Sequence, residues 1–175
     1  MNQSLEITSK LRFKDALRYN FYIAYSTTIN RIFCILSIIS LSMFIYNMSK
    51  GMISMDQRFA QSFPLLVAPF IFFIMIPIRV WKATGELIYS EVLKNEVKYT
   101  FTNEKIVLST PKGEADIQWD QYVRIVETKW DFRLFMDKIQ AQIIPKYSLN
   151  RNEIQILRNI ISTSTDEKVV KLKLK

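Results

Sequence analysis

A chain of 175 residues with a net charge of +8 and no histidine has room for one modest soluble domain beside a pair of membrane helices. The missing histidines remove His-based triads, acid–base pairs and the usual zinc centres, and a single cysteine, Cys34, excludes intramolecular disulfides and CxxC sites. Glycine stands only at 51, 85 and 113, so neither GxGxxG nor GxxxxGK(S/T) occurs and no nucleotide cofactor is expected.

Residues 1–31 read as an arm. Ser4-Leu5-Glu6-Ile7-Thr8 alternates polar and apolar, the pattern of a short strand. From Lys10 the period becomes helical, with Leu11, Leu17, Phe21 and Ala24 on one face. Tyr19, Phe21, Tyr22 and Tyr25 then suit the headgroup region of a bilayer, which makes this an interfacial helix or, alternatively, a surface helix packed on the soluble domain.

Residues 32–81 read as a transmembrane hairpin. No charge occurs from Ile32 to Ser49 or from Phe59 to Ile78. As helices these runs span about 27 and 30 Å, the thickness of a hydrocarbon core. Cys34, Ser37 and Ser40 share a face of the first span. Ala60, Pro64 and Ala68 repeat at i, i+4 and i+8 in the second, and small residues at that spacing let helices approach closely in lipid. Alternatively, the serines bond only the carbonyls of their own preceding turn. Pro69 and Pro77 should kink the second span. Neither span carries an ionisable Asp, Glu, Lys or Arg, which disfavours a transporter or pump. Arg12, Lys14, Arg18 and Arg31 precede the hairpin and Arg79, Lys82, Lys94 and Lys98 follow it, whereas its loop has only Lys50 and Arg58. The positive-inside rule therefore expects both termini in the cytoplasm.

Residues 82–175 read as a cytoplasmic domain. A short helix is expected over Glu86–Asn95, and then the period becomes two. Strand-like runs cover 97–102, 105–109, 115–119, 123–128, 132–136 and 141–144, with turns at Asn103-Glu104, Pro111-Lys112-Gly113, Lys129–Asp131 and Asp137–Gln140. After Pro145 the helical period returns: Asn150 and Glu153 form a capping box, and Ile154, Leu157 and Ile161 an apolar stripe. The expected fold class is α+β: a two-helix transmembrane hairpin, then a small antiparallel β domain closed by a C-terminal helix, a layout that a pleckstrin-homology-like barrel shares with other small α+β folds.

The order of arm, two spans, Val97–Thr102, Ile117-Gln118-Trp119-Asp120, Val126-Glu127-Thr128, Phe132-Arg133-Leu134 and Ile143-Ile144-Pro145-Lys146 resembles the YcxB-like bacterial membrane proteins. The resemblance implies a pleckstrin-homology-like C-terminal domain in a bacterial inner-membrane protein of unassigned activity, and it brings no catalytic residue. Trp119, Asp120, Glu127, Phe132, Ile144, Pro145 and Lys146 are read as structural motif residues: a core indole, turn carboxylates and a strand end closed by proline. Asp116, Asp120, Glu127, Asp131 and Asp137 are the carboxylates an enzyme would have to pair, and no enzyme is expected. The turn Thr102-Asn103-Glu104-Lys105 sets one base beside one acid, so specific phosphoinositide binding has little support.

Lys168, Lys171, Lys173 and Lys175 make a basic tail suited to an anionic leaflet, to strand addition through Val170, Leu172 and Leu174, or to solvent. The charge is spread as +3 over 1–31, +1 over 50–58 and +4 over 79–175, with no dense basic block. That distribution favours the lipid bilayer over nucleic acid as partner. Two readings follow. In the first, the domain is a non-enzymatic interaction module held at the inner membrane, its partner another membrane or cytoplasmic protein, with self-association left open. In the second, an immunity or structural protein acts through its spans.

Overall fold

The computed structural model describes residues 4–50, 54–87, 94–166 and 168–172. They form two compact units: a helical unit, Ala16–Glu86, and a β unit, Met1–Asp15 with Leu87–Lys175. The chain is α+β, two long apolar helices followed by antiparallel sheet and a C-terminal helix.

In the β unit, β1 (Ser4–Ser9) pairs antiparallel with β2 (Val97–Thr102), from Ser4↔Thr102 to Ser9↔Val97. A strand that precedes the apolar helices is thus bonded into a sheet that follows them. The alternation that marks β1 supplies the reason: Leu5 and Ile7 are buried, and their area is lost to water only on this sheet. β3 (Lys105–Thr110) and β4 (Gly113–Gln118) complete a sheet of order β1-β2-β3-β4. Gly113 closes the β3–β4 turn at φ +144°, a backbone state that a side chain would strain.

A second sheet has order β7-β6-β5-β8, built from β5 (Arg124–Glu127), β6 (Asp131–Phe135), β7 (Ala141–Pro145) and β8 (Val170–Lys171). Seven of the strands, β1 to β7, lie where the period-two pattern puts them. β6 is buried at all five positions. The C-terminal helix, Arg151–Ser164, begins with the full capping box: the Glu153 amide donates to Asn150 Oδ1 at 2.9 Å, and the Asn150 amide donates to Glu153 Oε2 at 2.7 Å. Its Leu157, Ile160 and Ile161 enter one core with Phe101, Ile106, Ile125, Phe132, Leu134 and Ile144. Residues 88–93 lie outside the described residues, and with them most of the short helix expected over Glu86–Asn95.

In the helical unit, α1 (Phe13–Ser26, whose first turn belongs to the β unit) precedes α2 (Thr28–Ser49) and α3 (Met55–Glu86). Thr27 caps α2 by accepting from the Asn30 amide. At the other end, Arg58 donates to Met48 O at 2.8 Å and to Lys50 O, a cation on terminal carbonyls. α3 is irregular where proline demands it. A 3₁₀ turn covers Phe63–Leu66 around Pro64, and a π turn covers Ile71–Met75, ahead of Pro77.

These irregularities free carbonyls, and hydroxyls take them up. Pro69 has no N–H to give Leu65 O, which accepts instead from Ser40 Oγ of α2 at 2.5 Å. In the π turn the Ile76 amide bonds to Ile71 O, and Phe72 O accepts from the Tyr25 hydroxyl at 3.1 Å. Ser37 and Ser42, by contrast, bond the carbonyls of Phe33 and Ile38 in their own helix. The face expected from Ala60, Pro64 and Ala68 is not the packed one: Ala60 and Pro64 are exposed, and Ser62, Pro69 and Phe72 are buried. A 3₁₀ residue turns about 120° rather than 100°, so the intervening turn rotates the wheel away from its 3.6 spacing.

Candidate functional site: a buried ionic network

Three elements bring charge into the core of the β unit. β5 ends with Glu127, which is 2% exposed and sits opposite Phe132 in the register. β7 ends at Pro145, so the chain turns and Lys146 reaches back. The C-terminal helix supplies Arg158, one turn beyond Ile154. Lys146 Nζ donates to Glu127 Oε1 at 2.5 Å and to Thr128 O at 2.7 Å. Arg158 grips the same carboxylate through both of its oxygens, Nε to Oε2 at 3.0 Å and Nη2 to Oε1 at 2.7 Å. The bond to Glu127 pushes the Arg158 pKa up. Lys146 Nζ also lies 5.2 Å from the centre of the Phe132 ring.

A second pair adjoins the first across the β5–β6 turn. Asp131 and Arg133, two apart on one strand, share a face, and Arg133 bonds both carboxylate oxygens, at 2.8 and 3.3 Å. Both side chains are buried. Thr128 organises the turn, with Oγ1 accepting from the Trp130 and Asp131 amides and lying 2.6 Å from Asp131 Oδ1. Two acids and three bases are thereby joined through the β5–β6 turn, the strands β5 and β6, the end of β7 and one helix. Buried charges that meet fully bonded partners are tolerated, and removing one partner is costly.

The motif residues separate accordingly. Glu127, Phe132, Ile144, Pro145 and Lys146 converge, because Phe132↔Ile144 and Asp131↔Pro145 are register pairs. Trp119 lies apart from the charges: it is 4% exposed, donates Nε1–H to Thr102 O at 2.9 Å and faces Phe101 and Tyr122. Asp120 is exposed in the turn after it. In the tail, Lys168 and Lys171 are exposed and Val170–Lys171 adds in parallel to β5, whereas Lys173 and Lys175 lie outside the described residues.

Among the acids, Asp116 pairs with Lys105 on exposed strand, and Asp137 accepts from the Ile139 and Gln140 amides. Those two amides hold the Asp137 pKa below its ordinary value. Arg158 was the network member that sequence reasoning missed. Its signal was a charge at i+4 from Ile154 and beside Leu157, on the stripe that should be apolar.

No curated protein and no solved structure matches the chain. Residues 101–161, the stretch that holds the complete ionic network from Glu127 to Arg158, match the family model of the YcxB-like proteins.

Proposed function

We propose that this is a non-enzymatic, multi-pass protein of a bacterial inner membrane, whose α2–α3 hairpin anchors a cytoplasmic, pleckstrin-homology-like interaction domain. The observation that carries the anchor is exposed apolar surface. α2 and α3 have windows of mean hydropathy 1.9 and 2.2, of which 6% and 11% are buried. A core helix of a soluble protein would be mostly covered, whereas Ile32, Ile35, Leu36, Ile39, Phe63, Phe70, Phe73 and Ile78 face outward. The excess of Lys and Arg before and after the hairpin supports cytoplasmic termini.

Interaction rather than catalysis is supported by the carboxylates. Asp116, Glu127, Asp131 and Asp137 are each engaged by their own base or amides, which is the chemistry of a scaffold. The surfaces for another protein, or for a second copy, are the β4 edge, where only Ile117 is buried, and the face beside the C-terminal helix. Confinement to a membrane raises the domain's effective concentration for partners in the same plane.

The test is affinity capture from native membranes in mild detergent. Full chain is compared with a β unit in which a flexible linker replaces residues 16–86. Retention of one partner by both forms supports recognition by the β unit. Retention by the full chain alone moves recognition to the spans and favours the immunity or structural reading.

A further inference from the structure

One end of the β unit combines aromatic rings and bases in a way the ionic network does not require. Trp130, in the β5–β6 turn, is 52% exposed, and Tyr147, just past β7, is 44% exposed. They are neighbours because the Lys146 amide donates to Trp130 O at 2.8 Å. Each ring carries a cation: Lys129 Nζ lies 4.9 Å from the Trp130 ring centre, and the Arg12 guanidinium 3.9 Å from that of Tyr147. The Tyr147 hydroxyl is within bonding distance of Lys10 O, 2.7 Å, and of Asp15 Oδ2, 2.9 Å. Lys10, Arg12 and Lys129 are exposed, while Asp15, whose carboxylate meets the Tyr147 hydroxyl and the Arg12 amide, is 3% exposed. The bases therefore point out and that acid points in. Glu96, next to the Ser9↔Val97 pair, is an exposed acid at the same end.

The position of this patch within the β unit is what gives it meaning. The Ser9↔Val97 pair ends the β1–β2 ladder. It puts at one end the point where the chain leaves for the apolar helices and the point where it returns. Ser9 Oγ lies 3.2 Å from Ser148 Oγ, so Tyr147 belongs to that end too.

We propose that Trp130, Tyr147, Lys10, Arg12 and Lys129 form a docking surface for anionic phospholipid headgroups, which seats the domain on the leaflet that its own anchor crosses. Indole and phenol rings with one polar edge settle at headgroup level. Lysine and arginine beside them are drawn to an anionic surface within a Debye length. This inference rests on the membrane-anchored reading, and its test separates the two.

The full chain is reconstituted into vesicles of neutral phosphatidylcholine, or with a third of the lipid replaced by phosphatidylglycerol. Both contain a lipid brominated near the top of its acyl chains, which quenches tryptophan. The Trp81→Phe chain reports Trp130 over the buried Trp119, and the Trp130→Phe chain reports Trp81 on α3. The expected result is loss of Trp130 emission in the anionic vesicles, reduced by Lys10→Glu with Lys129→Glu and by added salt. Quenching of Trp81 without quenching of Trp130 overturns the docking surface and leaves the anchor intact. Quenching of neither overturns the anchor itself. Trp130 quenching that is equal in neutral vesicles and indifferent to the glutamates refutes anionic recognition.

Discussion

Replacement of Glu127 by alanine should cost more than its single carboxylate suggests. The side chain is 2% exposed and accepts three charge-assisted bonds, one from Lys146 and two from Arg158. Its loss leaves two cations, 18% and 14% exposed, without the anion between them. Removing one partner of a buried ion pair costs about 3–5 kcal/mol. The lower end applies, because Lys146 keeps its bond to Thr128 O and both cations retain a path to water. A loss of about 3 kcal/mol is roughly two factors of ten in the equilibrium between closed and open states. Hydrogen exchange of the full chain in detergent reads this directly: amides of β5, β6, β7 and the C-terminal helix should exchange roughly a hundredfold faster. Glu127→Gln should fall between, since it keeps the shape and some acceptor capacity. Joint replacement by Glu127→Leu, Lys146→Met and Arg158→Met should recover most of the loss, because an apolar cluster pays no desolvation of charge. Exchange in Glu127→Ala within about threefold of the parent chain would refute the reasoning, being under 1 kcal/mol.

Ser40→Ala should expose the Leu65 carbonyl that Pro69 cannot satisfy, at a cost of about 1 kcal/mol in detergent thermal unfolding, while Ser42→Ala, which loses only a bond within its own helix, should be near neutral. A fragment beginning at residue 87 lacks β1 and with it Leu5 and Ile7. It should show molten near-ultraviolet dichroism, and supplying residues 1–15 through a linker should restore the signal. Burial pushes the phenol of Tyr99 up to about 12 and raises that of Tyr122, and partial desolvation with the bond to Asp15 raises that of the half-exposed Tyr147. A raised phenol favours the folded state fully below its unfolded value near 10, and the contribution is lost as pH climbs towards 12. The tyrosinate absorbance that a Tyr99→Phe chain lacks should therefore rise late and together with loss of the folded Trp119 emission; ionisation of Tyr99 near pH 10 in an intact fold would contradict its burial.

What the sequence made legible follows from the range of each signal. Alternation over five or six residues is local, so seven strands, the Lys129–Asp131 turn and the Asn150–Glu153 cap could be read without knowing their neighbours. The partner of β1 could not, because Leu5 and Phe101 meet only through a register set some ninety residues later along the chain. The ionic network was half legible. Glu127 and Lys146 stood out as motif residues, but a lysine that follows a strand-ending proline carries no sign that it turns inward. Arg158 carries its signal as a conflict, a charge set beside the apolar stripe of Ile154, Leu157 and Ile161. In the hairpin, the two prolines foretold irregularity and not its direction. The rotation set by the 3₁₀ and π turns decided which face of α3 packs, and Ser40 found its role only through a carbonyl that Pro69 leaves free.

Whether α2 and α3 cross a membrane and leave the β unit in the cytoplasm can be read from cysteine accessibility in intact cells. In a Cys34→Ser background, single cysteines replace Ser54, just before α3, and Gln155, exposed on the C-terminal helix. An impermeant maleimide should label Ser54→Cys in intact cells and Gln155→Cys only after the cells are opened. Labelling of Gln155→Cys from outside would invert the topology, and release of the whole chain by alkaline carbonate would contradict the membrane anchor outright.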